Sequence, residues 1–234
     1  MIYFDHLPLD KSIIKALSVL TIDYVFQPIF LPDGKTIFSR EALMRPQDVT
    51  VTELIQSYMN IDQLHVLEVA TFFGAMQAYL LRGYTERLNV NSFPTELFTP
   101  DEVMAFSEYF GDASGIGIIE ILEYPKLDPN VAKIKLDAVQ AQNLDIALDD
   151  FGAGHNDMEA VKMYDPQIVK LDRALISDID KNQMKQENVE ALVLRFHDQG
   201  RLIVAEGVET RKEFEYLVGL GIDLFQGYYL AMPQ

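Results

Sequence analysis

Residues 144–170 read LDIALDDFGAGHNDMEAVKMYDPQIVK, and two short apolar runs stand in them, Leu144–Asp149 and Gln167–Lys170. Each is rich in Ile, Val or Leu, and each ends in a charged side chain. A short apolar run of this kind fits a strand buried on both faces, as in a parallel sheet. Outward from here the pattern recurs at Tyr24–Phe30, Thr36–Met44, Leu88–Asn91, Ile116–Glu120, Leu202–Glu206 and Ile222–Gln226. Helix signals lie between the runs. Thr50–Glu53, Thr99–Glu102 and Thr210–Glu213 have capping-box spacing, with Pro100 at a first helical position. Asp128-Pro129 opens another helix, Asp62–Leu81 reads as one long buried helix, and Asn182–His197 closes before Gly200. Pro32-Asp33-Gly34-Lys35 joins the first two runs by a tight turn, so these pair antiparallel. Eight runs alternating with helices in 234 residues predict an α/β fold, a TIM-like (β/α)8 barrel with one antiparallel strand. The even composition predicts a single domain over 1–234, with residues 1–23 as a helical lead-in.

Hydrophobic residues make up 49% of the chain, which excludes a disordered polypeptide. Cysteine is absent, so disulfides, thiolate zinc sites and a cysteine nucleophile are excluded. The N-terminus lacks the basic start and apolar core of a secretory signal. No stretch of about 18 apolar residues runs free of charge, so no membrane span is expected. A cytoplasmic protein is the default expectation. Asp and Glu number 36 against 19 Lys and Arg, a net charge of −17. A field of that sign repels a nucleic-acid backbone, so duplex DNA or RNA is not an expected partner.

In a barrel of this type the chemistry sits at the C-terminal ends of the strands. The runs end in Asn91, Glu120, Asp149-Asp150, Lys170, Glu206 and Gln226, a succession of carboxylates, amides and one lysine. Hard oxygen donors suit Mg²⁺ or Mn²⁺, whereas zinc would bring His or Cys. Adjacent carboxylates at Asp149 and Asp150 repel each other unless cations sit between them, and a two-metal centre hydrolyses phosphodiesters. Glu41, Leu43 and Arg45 share one face of the second run, so either Glu41 faces the metals and Arg45 forks onto a phosphate, or the two form a structural pair along the strand. Tyr228 and Tyr229 follow the last run and are expected to pack in the core, with stacking on a nucleobase as the alternative.

These residues resemble the EAL domain, a cyclic di-GMP phosphodiesterase family. The resemblance runs from Phe26-Gln27-Pro28-Ile29 to Gln226-Gly227-Tyr228. It includes Glu41-Ala42-Leu43 with Arg45, Val90-Asn91-Ser92, Glu120 with Glu123, and Asp149-Asp150-Phe151-Gly152-Ala153-Gly154. Lys170 with Asp172 and Glu206-Gly207-Val208-Glu209-Thr210 complete it. It implies opening of cyclic di-GMP to linear pGpG with Mg²⁺ or Mn²⁺, as two ions. By the same resemblance Glu41, Asn91, Glu120, Asp149 and Asp150 hold the metals, and Lys170 contacts the hydrolytic water. Glu206 is a metal-site or general-base carboxylate. Arg45, Gln27 and Gln226 bind substrate or support it, and Glu123 braces the loop after Asp150. A homodimer is also implied. The alternative is an inactive EAL-type receptor or interaction module. After Gly154 the chain reads His155-Asn156-Asp157-Met158, where the family more often has an aromatic followed by small residues.

Overall fold

The structure is a computed structural model that describes residues 2, 4–126 and 128–234. Among the described residues the strands are β1 (Ile22–Phe30), β2 (Ile37–Pro46), β3 (Arg87–Ser92), β4 (Gly117–Ile121), β5 (Asp145–Phe151), β6 (Ile168–Leu171), β7 (Leu202–Ala205) and β8 (Leu224–Phe225). The α-helices are α1 (Lys11–Leu17), α2 (Val51–Asn60), α3 (Leu64–Leu81), α4 (Pro100–Phe110), α5 (Pro129–Ala141), α6 (Met158–Tyr164), α7 (Arg173–Ile176), α8 (Gln183–Asp198) and α9 (Arg211–Leu220). The strands close into a barrel in sequence order. β1 runs antiparallel to both of its neighbours, and the other neighbouring pairs are parallel. The expected barrel with one antiparallel strand is therefore the fold.

Local chemistry fixes the elements as the sequence predicts. The Asp33 carboxylate accepts from the Lys35 and Thr36 amides at 2.9 and 2.8 Å and from the Thr36 hydroxyl at 2.6 Å, closing the β1–β2 turn. Thr50, Thr99 and Thr210 each form a complete capping box with the Glu three residues on. Asp128 caps α5, whose first residue is Pro129. Helix α3 is long and apolar enough to cross a bilayer by length and composition, yet 72% of that window is buried in this fold. It carries buried Glu68, which pairs with Lys135 of α5 at 3.2 Å.

The strand period sorts side chains into two shells. Outward-facing Val90, Ile119, Ile121, Ile146, Leu148 and Val169 pack under the helices. Inward-facing Ile29, Ile118, Ala147, Ile168, Val204 and Leu224 form an apolar plug inside the barrel. Two residues further along the parallel strands the inward positions become polar: Glu120, Asp149 and Lys170. A dry floor thus lies beneath a charged layer at the C-terminal mouth, which lowers the local dielectric and strengthens each interaction there.

Candidate active site

Lys170 is fully buried at the centre of that layer. Its Nζ donates to Asp149 Oδ1 at 2.8 Å, to Glu206 Oε1 at 2.6 Å and to Glu41 Oε2 at 3.3 Å, and it is also in close contact with Glu120 Oε1. Glu41 accepts from Gln226 Nε2 at 2.6 Å and faces Asn91 Nδ2 at 3.4 Å. Seven separate strands or strand ends therefore deliver one connected cluster: β2, β3, β4, β5, β6 and the residues just past β7 and β8. Glu206 and Gln226 stand one residue beyond their strands rather than on them. Gln27 of β1 pairs in register with Glu41 and donates to the Ala231 carbonyl at 3.2 Å.

Asp149 and Asp150 are neighbours, so on a regular strand they would point to opposite faces. The β5–β6 register shifts between Leu148 and Phe151, and Asp150 has φ 45°. This irregularity turns both carboxylates to the mouth. There they lie within 4.8 Å of the Glu123 carboxylate, forming a second acidic group beside that of Glu41, Glu120 and Glu206.

The loop after Asp150 is held from both sides. Asn156, itself buried, donates to the Asp149 carbonyl at 2.6 Å and the Ile121 carbonyl at 3.1 Å. The Glu123 carbonyl accepts from the His155 amide at 3.2 Å. Asp157 caps α6. The atypical His155–Met158 stretch is thus an anchoring amide followed by a helix cap.

Crowding of like charge shapes the protonation. Burial, then the Glu206 carboxylate, pushes Asp150 up to about 8. Burial, with Glu206 and Glu41 behind it, raises Asp149 well above the usual carboxylate range. Burial raises Glu206 too, against the pull of Lys170. Burial works against a charged Lys170, but Glu206 and Glu41 outweigh it and hold the ammonium above its ordinary range. A carboxyl with a raised folded pKa keeps a proton that the unfolded chain has released. Its stabilisation is complete below the unfolded value, here 3.8 for Asp150, and is lost as pH climbs through about 8. Chelated protein should therefore melt at progressively lower temperature from about pH 5 to about pH 8. Thermal scans across that range check this; the slope should flatten in Asp150→Asn, and an unchanged slope in that variant would refute the assignment.

Several buried oxygens of this layer have no hydrogen-bond partner: Asn91 Oδ1, Glu206 Oε2 and Gln226 Oε1. Buried polar atoms are rarely left so. Hard oxygens with open lone pairs among carboxylates fit Mg²⁺ or Mn²⁺.

Not every expected residue joins the cluster. Arg45 is exposed near the end of β2, and its guanidinium donates to the adjacent Met44 carbonyl at 2.9 Å. Tyr228 and Tyr229 are 60% and 40% exposed, so the expectation of core packing is corrected. Tyr228 instead lines a cavity of about 260 Å³ with Gln27, Glu41, Glu206, Gln226 and Arg173. Arg173 is a pocket residue that the strand-end reading missed. It pairs with Glu209 at 2.7 Å and donates to the Gly207 carbonyl, so it fixes the loop that carries Glu206. An apolar cavity of about 180 Å³ lies outside the barrel, between α3, α4 and α5.

Gly227 is required by close approach. A Cβ there would stand 2.2 Å from the Val208 carbonyl oxygen and 2.3 Å from its nitrogen, both backbone atoms. Gly227→Ala should cost roughly 3 kcal/mol of stability, the upper end for overpacking. Denaturant unfolding measures it; a change below about 0.5 kcal/mol would contradict the packing argument.

Three similarities bear on the site. A standalone versatile EAL protein from Vibrio cholerae O395, solved in its c-di-GMP-bound form, shares 27% identity with a TM-score of 0.82, over 92% of this chain and 93% of that one. Klebsiella pneumoniae BlrP1, solved as a manganese/cy-diGMP complex, shares 28% identity with a TM-score of 0.79, over 91% of this chain and 56% of that one. The cyclic di-GMP phosphodiesterase TpdA of Vibrio parahaemolyticus is 24% identical over 240 residues, spanning 99% of this chain and 40% of its own length. The chain spans 20%, 40% and 17% of the first curated relatives it matches. The family model described as "EAL domain" matches residues 10–233. On that match, and on a barrel whose polar layer carries the expected residues, the chain belongs to the EAL domain family.

Proposed function

We propose that this chain is a metal-dependent phosphodiesterase that opens cyclic di-GMP to linear pGpG. The observation that carries the reading is the buried oxygen cluster around Lys170, with its partnerless oxygens on Asn91, Glu206 and Gln226. Relatives solved with c-di-GMP, one with manganese, support the ligand class. Glu41, Glu120, Asp149, Asp150 and Glu206 against Lys170 leave four negative charges when all are ionised, which two divalent cations neutralise.

Glu41, Asn91, Glu120, Asp149 and Asp150 would hold Mg²⁺ or Mn²⁺. Bound there, such ions polarise phosphate oxygens and make water a better nucleophile. The rest falls to the chain. Glu206, held through one oxygen by Lys170 and adjoining Asp150, accepts the proton of the attacking water. Lys170 supplies a fixed positive charge where negative charge grows at phosphorus. Gln27, Gln226 and Tyr228 line the adjoining cavity and contact the dinucleotide. Arg45 at the rim forks onto a phosphate.

The test is hydrolysis of cyclic di-GMP by purified chain with Mg²⁺, Mn²⁺ or chelator, with products separated by chromatography. Metal-dependent pGpG is the expected result. Saturable binding without turnover would replace the enzyme by a receptor, and neither binding nor turnover would overturn the reading.

A further inference from the structure

Asn89 lies two residues before Asn91 on β3, so both side chains enter the barrel. It is 1% exposed. Register pairs Asn91 with Glu120 and Asn89 with Ile118, which places Asn89 one layer beneath the carboxylate cluster. Its Nδ2 donates to Glu120 Oε2 at 2.8 Å. The amide orientation is dictated, because a carboxylate can only accept. Glu120 is fully buried, and its other oxygen meets Lys170. Two donors therefore grip the two oxygens of one carboxylate from different strands. Without Asn89, the remaining contact would draw Glu120 towards Lys170 and leave a buried carboxylate oxygen without a donor, a costly state that the side chain would relieve by turning.

We propose that Asn89 is a positioning residue that fixes the Glu120 carboxylate in the orientation needed to take a divalent cation. The inference rests on the metal-dependent reading of this site. Partners behind a metal ligand commonly change affinity or activity by about 10–100-fold when removed. Asn89 acts through Glu120 and touches neither cation nor substrate.

Mn²⁺ titration of the chelated and repurified chain, followed by electron paramagnetic resonance, tests it. Asn89→Leu keeps the branching at Cγ and removes the donor; Asn89→Ser removes the reach with less steric demand and serves should the first variant not fold. Either folded variant should bind Mn²⁺ about 10-fold or more weakly. In a Glu120→Gln background the same substitution should change the remaining affinity by less than about twofold, since coupled residues are not additive. A general loosening of the barrel would instead add its full effect in both backgrounds and overturn the proposal. So would Mn²⁺ affinity within about twofold of wild type in a folded Asn89 variant. Failure of the wild-type chain to bind Mn²⁺ would refute the metal-dependent reading itself, and the positioning role with it.

Discussion

Lys170→Met should lower the proposed turnover by about 10²–10³-fold, the scale set by removing one preorganised charge-stabilising group. The same substitution should destabilise metal-free protein by about 3–5 kcal/mol, because it strips the partner from a buried ionic cluster. The lysine side chain is 1% exposed and contacts carboxylates from four different segments. Methionine fills the stem's volume, so the loss is electrostatic rather than a cavity effect. Two further readouts follow from that cause. The deficit should shrink at pH 5 relative to pH 8, since carboxyls with raised pKa can take up protons in place of the missing ammonium. Saturating Mn²⁺ should also restore much of the lost unfolding free energy. Urea melts at the two pH values, with and without metal, measure all of this. A metal-free stability equal to wild type at both would show that Lys170 does not hold the cluster together.

That central lysine shows what was legible in the sequence. Polar residues ending apolar runs place one functional group per strand, because an inward position at a strand's C-terminal end must face the mouth. Asn91, Glu120, Asp149, Lys170, Glu206 and Gln226 converge for that reason. The same period also points Asn89 inward, but a reading limited to the last residue of each run passes over it. The convergence of Asp149 with Asp150 depends on a register irregularity and a positive φ, which apolar periodicity does not encode. Arg173 reaches the site from the start of a four-residue helix by gripping the Gly207 carbonyl, a loop geometry without a period. Tyr228 is exposed because β8 ends at Phe225 and the chain leaves the sheet. Residues ending an apolar run were thus readable, including Glu206 and Gln226 just past their strands, whereas Asn89 within a run and Arg173 at the start of a short helix were not.

Glu41→Gln separates stability from activity. Glu41 accepts from Gln226 at 2.6 Å, and its contact to Lys170, at 3.3 Å, is longer than those of Asp149 and Glu206. Its charge also raises the pKa of both Asp149 and Glu206. A glutamine can present its carbonyl oxygen to Gln226 and keeps the shape, so removing the charge mainly removes repulsion. In metal-free protein the melting temperature should therefore rise by about 2–4 °C, the equivalent of roughly 1 kcal/mol for a chain of this size. Turnover should fall at least about 10³-fold, because the neutral amide cannot supply the charge that the proposed metal centre needs. The added stabilisation by Mn²⁺ should shrink as well, since binding stabilises only through affinity for the folded state. A site that becomes more stable and less active on losing one charge is one whose repulsion is relieved only when cations are bound. Differential scanning with and without Mn²⁺, beside the hydrolysis assay, decides it. Retained turnover would remove Glu41 from the metal centre, and a lowered metal-free melting temperature would mean that its pairing with Lys170 outweighs the repulsion.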